Sequence, residues 1–172
     1  MTLIIGCGNS DRGDDGAGIL VARRLRELGL DALEHSGDGL ALMELWSSDD
    51  EVILVDAMLS GANPGTVSTW DAIAHPLCAE SYRCSTHAFG PREAIELARA
   101  LDRLPARIQI YGIEAAGCEP GDAPCREVLE AVERVAGRTA NRESPSRCAV
   151  PSRNPRNKRH NRHHKSRPHR RA

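Results

Sequence analysis

Three side chains stand out as a set able to do chemistry: Asp15, Asp56 and His87. Asp15 lies in the glycine-rich stretch from Gly6 to Gly18, Asp56 follows the apolar run Val52-Ile53-Leu54-Val55, and His87 sits in Ser85-Thr86-His87-Ala88-Phe89-Gly90 just before Pro91. Two carboxylates and an imidazole make an incomplete coordination shell, suited to a divalent first-row ion with positions left open for water or substrate. Nickel, zinc, iron and manganese all satisfy the donor types, and no cysteine is required. A single loop histidine also serves as a hydrogen-bonded structural residue, so His87 has both readings.

The first loop, Gly6-Cys7-Gly8-Asn9-Ser10-Asp11-Arg12-Gly13-Asp14-Asp15-Gly16-Ala17-Gly18, argues against a dinucleotide site. The third glycine of G-x-G-x-x-G would fall at position 11, which is Asp11, and Asp14 and Asp15 follow where a pyrophosphate would lie. Carboxylates there repel phosphate and attract a cation. Asp14 has a second reading as a cap of the helix that follows. A nucleophile is less well supported: Ser36, Ser85 and Thr86 lack a G-x-S-x-G elbow, and nothing singles out Cys84 with His87.

These residues need elements to hold them. Leu3-Ile4-Ile5 reads as a buried strand, and a helix is predicted from Gly16 to Leu28, stopped by Gly29. Leu30 to Leu33 gives a second strand, and His35 to Gly39 a loop. Leu40 to Trp46 gives a short helix, and Glu51 to Ala57 a strand buried on both faces. Thr66 to Trp70 alternates like an edge strand. Glu93 to Leu101 is a helix, Arg107 to Ile113 a strand, and Pro124 to Val135 a last helix ended by Gly137. This alternation predicts an α/β fold, a three-layer sandwich of a mostly parallel twisted sheet with helices on both faces. Loops at the carboxyl ends of parallel strands gather on one side, which brings Asp15, Asp56 and His87 towards one another.

Charge divides the 172 residues in two. From Arg138 onward there are 12 Lys and Arg and one acid, Glu143, whereas residues 1–137 hold 11 basic and 23 acidic residues. The expected organisation is a folded domain over 1–137 and a disordered basic tail over 138–172, too poor in large apolar residues to offset its ordering entropy. The tail reads as an extension without a selected role in preference to a polyanion-binding arm or a metal-catching tract at His160, His163, His164 and His169. The acidic body argues against nucleic acid as partner. No signal peptide or membrane-length apolar run occurs, and the six scattered cysteines form no C-x-x-C pair. The expectation is a cytoplasmic monomer with reduced thiols and no membrane partner.

Taken together, the motifs resemble the hydrogenase maturation endopeptidases, nickel-dependent proteases that trim the large subunit of nickel-iron hydrogenases. The similarity rests on Gly6-Cys7-Gly8-Asn9, then Asp14-Asp15-Gly16-Ala17-Gly18, on Ile53-Leu54-Val55-Asp56-Ala57, on Ser85 to Gly90, and on Gly112-Ile113-Glu114, in order across about residues 1–136. The resemblance implies Asp15, Asp56 and His87 as ligands of nickel presented by the large-subunit precursor, and removal of a short C-terminal peptide after nickel insertion. Asn9 and Asp38 are the further catalytic candidates. Three departures stand: Ser36-Gly37-Asp38-Gly39 replaces an Asp-Gly-Gly-Thr loop, Ala115 replaces a proline, and the basic tail has no counterpart. Two rivals remain, a nickel-binding assembly factor that does not cut and a same-fold peptidase with another substrate.

Overall fold

The computed structural model describes residues 1–77 and 89–143. Along the chain run β1 (Thr2–Cys7), a 3-10 turn (Gly13–Gly16), α1 (Ala17–Glu27), β2 (Leu33–His35), α2 (Gly39–Met43) and β3 (Glu51–Met58). After them come β4 (Val67–Asp71), α3 (Pro91–Ala100), β5 (Arg107–Glu114) and α4 (Arg126–Glu143). The strands form one sheet in the order β2-β1-β3-β5-β4, parallel except for β4, which pairs antiparallel with β5 at the edge.

β3 is central because its sequence leaves it no exposed face. Ile53, Val55 and Ala57 pack on one side with Val21, Leu25, Val128, Val132 and Val135, from α1 and α4. Val52 and Leu54 pack on the other with Leu42, Ile95, Ala98 and Ile110, drawing in α2 and α3. Each such side chain taken from water contributes about 1.5–3 kcal/mol. The three layers are therefore α1 and α4, the sheet, and α2 and α3, as the strand-helix alternation predicts.

α1 buries Ala17, Val21 and Leu25 in one row and Gly18 and Ala22 beside it, the spacing of one helical face. It ends in a Schellman motif: Gly29 takes a φ of +84°, its N–H donates to the Arg26 carbonyl, and the Leu30 N–H donates to the Leu25 carbonyl.

Three boundaries differ from those read in the sequence. β2 is Leu33–His35, not Leu30 to Leu33, because residues 29 and 30 are used to close α1. β3 continues two residues past Asp56 to Met58. α4 does not stop at Gly137; it runs to Glu143, with Thr139 buried and Ala140 packed on the core. The 137/138 boundary thus falls inside this helix. The rest of the basic tail, 144–172, lies outside the described residues, as do its histidine tract and the 78–88 segment holding Cys84 and His87.

Candidate active site

The sheet order reverses at β1: the chain goes from β1 to β2 on one side, then crosses to β3 on the other. In open α/β sheets the crevice outside the carboxyl ends of two such strands is where ligands bind. Here that crevice receives the loop after β1 and the end of β3.

The loop closes on itself through Gly8. With a φ of +132°, and with the Asp15 carbonyl oxygen occupying the place of a side chain, this position accepts only glycine. The Asn9 N–H donates to the Asp15 carbonyl (3.3 Å), the Arg12 N–H to the Asn9 carbonyl (3.2 Å), and the Asp15 N–H to the Arg12 carbonyl (3.1 Å). The Asn9 side chain adds an Asx turn, its Oδ1 accepting from the Asp11 N–H at 2.9 Å. Asp15 is thereby set in the 3-10 turn that opens α1 and packs against β3.

Asp15 is 1% exposed, and its Oδ1 has no hydrogen-bond partner among the described residues. A buried carboxylate oxygen without a partner is costly, and the N-terminal dipole of α1 offsets part of that cost. Such an orphaned hard oxygen donor fits a divalent cation in kind. Asp56, also 1% exposed, accepts from the Ala57 N–H at 2.9 Å through Oδ1. Burial first, and the Asp56 charge second, hold the neighbouring Cys7 thiol well above its ordinary pKa, so Cys7 is a protonated core thiol. The fold thus puts the elements carrying Asp15 and Asp56 side by side at the switch point. His87 lies outside the described residues. Among the described residues no three His, Cys, Asp or Glu side chains are grouped to hold a metal ion.

The other expected residues have defined partners. Asp38 is the N-cap of α2, its Oδ1 accepting from the Ala41 N–H at 2.9 Å. Asn9 lines a cavity of about 210 Å³ together with Gly8, Ser10, Ile19, Glu34, His35 and Ser36. Asp14 does not cap α1. It is buried, and its carboxylate reaches across the chain to the N–H groups of Ala116 (2.8 Å), Gly117 (3.3 Å) and Cys125 (2.6 Å).

Three residues to which the sequence reading gave no role have one in the structure. Glu114, buried at the end of β5, accepts from the Ser60 N–H, the Ser60 hydroxyl and the Gly61 N–H, each at 2.8 Å, and so fixes the rim that follows β3. Cys118 stands beside the acidic turn. Burial, then Asp15 and Asp14, raise its thiol pKa, against the opposing pull of Arg12 and of the Asp15 N–H. His35 ends β2; its carbonyl accepts from the Gly8 N–H (3.1 Å) and its Nδ1 from the Gly37 N–H (3.1 Å), which places the neutral ring's proton on Nε2.

Burial lowers the His35 pKa below 6.5, with Asp38 opposing. The unfolded chain therefore binds this proton more readily, so the His35 contribution to stability is undiminished above pH 6.5. It falls as pH drops from there to the folded-state pKa, and is constant below. Denaturant titrations at pH 7.5 and 5.5 will show this loss, and His35→Gln will reduce it; an unchanged slope in the variant contradicts the assignment.

Fold and site together define a doubly wound α/β protein whose switch point carries buried carboxylates in place of a phosphate-binding loop. Residues 29–141 match the hydrogenase maturation protease family, and the chain belongs to that family of proteases. It is 32% identical over 127 residues to protein FrxA of Pyrococcus furiosus, covering 72% of this chain and 90% of that one. It is 26% identical over 145 residues to the hydrogenase expression/formation protein HupD of Rhizobium leguminosarum bv. viciae, with 79% and 72% covered. Among solved structures, the [NiFe] hydrogenase maturation protease HybD of Thermococcus kodakarensis superposes with a TM-score of 0.65 at 28% identity, over 81% of this chain and 97% of its own. The E. coli hydrogenase maturating endopeptidase HybD shares the fold, with a TM-score of 0.68 at 22% identity over 83% and 93%.

Proposed function

We propose that this protein is a nickel-dependent endopeptidase that removes a C-terminal peptide from the large-subunit precursor of a nickel-iron hydrogenase once nickel has been inserted. It acts in the cytoplasm, as a monomer. The observation that carries the reading is the buried, unpartnered Oδ1 of Asp15 at the switch point of a hydrogenase maturation protease fold. Asp15, Asp56 and His87 would hold nickel presented by the precursor. The metal supplies a check on loading and polarisation of the scissile carbonyl or of water.

The protein's own groups do the rest. The loop from Gly8 to Asp15 holds the Asp15 carboxylate at the opening turn of α1, out of bulk water. Asn9, whose Oδ1 accepts from the Asp11 N–H, lines the cavity beside that loop and would use its amide Nδ2 to orient a peptide carbonyl there. Asp38 supports the site by fixing the start of α2. No helix of the described residues is long and apolar enough to cross a membrane.

One observation favours the non-cutting assembly factor. In the departing Ser36 to Gly39 loop, the Asp38 carboxylate is engaged in capping α2. Processing of nickel-loaded precursor by the wild-type protein separates the two readings, and Asp56→Asn tests the ligand within the first. Its amide oxygen can keep the bond from the Ala57 N–H, whereas processing of nickel-loaded precursor falls by at least about 100-fold. Wild-type turnover by this variant, followed by mass spectrometry, removes Asp56 from the mechanism.

A further inference from the structure

Among the described residues no hydrogen bond aims the Asp15 Oδ1. Its direction is therefore set by the backbone of the 3-10 turn, and that backbone is held from elsewhere in the chain. Residues 11–14 each bond the connection between β5 and α4. The Asp11 carbonyl accepts from the Gly121 N–H (2.8 Å), and the Arg12 Nε donates to the Cys118 carbonyl (3.1 Å). The Gly13 N–H donates to the Asp122 carbonyl (3.1 Å), and the Asp14 N–H to the Gly117 carbonyl (3.2 Å). At the centre is the Asp14 carboxylate. Oδ2 accepts from Ala116 and Gly117, and Oδ1 from Cys125, whose carbonyl in turn accepts from the Leu129 N–H in the first turn of α4.

From this geometry we propose that Asp14 is a positioning residue. Its carboxylate locks the 115–125 connection onto the loop after β1 and so fixes the direction of the adjacent Asp15 carboxylate. The role rests on the protease reading above. It differs from a cap of α1, since the three donors come from a segment more than 100 residues away. An ionised carboxylate is the right group, because all of its partners are donors and it has only acceptors to give.

The test is Asp14→Asn in the full-length protein, with Ile95→Val in the core beneath α3 as a control for general destabilisation. The asparagine keeps one acceptor oxygen but turns an NH2 group on N–H donors. With nickel-loaded precursor, Asp14→Asn should lower kcat about tenfold or more with KM unchanged, and weaken uptake of nickel ion by the free protein by a similar factor in isothermal titration. Ile95→Val should lower Tm and leave both quantities alone. Overturning the proposal requires an Asp14→Asn protein with a reduced Tm but wild-type kcat and nickel affinity, which would make Asp14 structural only. Should that variant not fold, Ala116→Pro decides, because it deletes one donor to Oδ2 at an exposed position and must reproduce the kcat loss in milder form. Wild-type protein that takes up no nickel by itself leaves the kcat and KM split to decide for Asp14. Wild-type protein that binds nickel but cuts no precursor refutes the protease reading instead, and nickel affinity then decides.

Discussion

Asparagine at position 15 will abolish processing without destabilising the protein. Asp15 is buried, and its Oδ1 has no hydrogen-bond partner among the described residues. Asparagine has nearly the same shape and breaks no hydrogen bond of that oxygen, while it loses a favourable carboxylate at the N-terminus of α1. The balance is a stability within about 1 kcal/mol of wild type. Cleavage of the precursor should fall by at least about 100-fold, since the variant loses the group at the switch point and not one that supports it. Denaturant unfolding and mass spectrometry of the precursor check the two halves. A stability loss of several kcal/mol would mean that the Asp15 carboxylate makes stabilising interactions in the fold. Retained cleavage would mean that the orphaned oxygen has no part in the reaction.

Gly18→Ala has the opposite character: it should collapse the fold. The N-terminal turn of α1 sits directly on the carboxyl ends of β1 and β3, and a Cβ at position 18 would overlap the carbonyl oxygens of Cys7 and Val55. Gly6 faces it across the same seam, where a Cβ would strike the Gly18 carbonyl. These atoms are backbone in the two central strands and cannot yield. The cost should be at least about 3 kcal/mol, the upper end of ordinary overpacking and a large share of a typical domain's stability. Gly137→Ala is the matched control. Its Cβ would meet nothing within 4 Å in the interior of α4, so it should stabilise by about 0.5–1 kcal/mol. Comparable Tm values for the two variants would contradict the close seating of α1 on the sheet.

What the sequence discloses follows from the range of the interactions concerned. Val52 to Val55 announces a strand buried on both faces, and the glycine pattern before Ala17 announces a strand-to-helix loop, because both are local patterns with one physical solution. That the elements carrying Asp15 and Asp56 adjoin is legible for the same reason, since both follow from parallel strands whose carboxyl ends lie on one side. The work of Asp14 and Glu114 is not local. Their partners lie 53 to 111 residues away, and no periodicity in the chain marks those pairings. Gly137 misleads because glycine is read as a stop, whereas the buried row Val132, Val135, Ala136 and Thr139 continues to pack on the core and carries the helix through it. His35 reads as a loop residue because β2 is short and its Leu33 is exposed, which erases the alternation expected of a strand.

Cutting of a nickel-loaded precursor is open to direct measurement. The protein is incubated with the large-subunit precursor of the hydrogenase from the same organism, prepared with and without nickel, and both forms are weighed by mass spectrometry. A C-terminal peptide should be lost from the nickel-loaded form alone. An unchanged mass in both forms, with the precursor still bound, would contradict the protease reading and establish the assembly factor in its place.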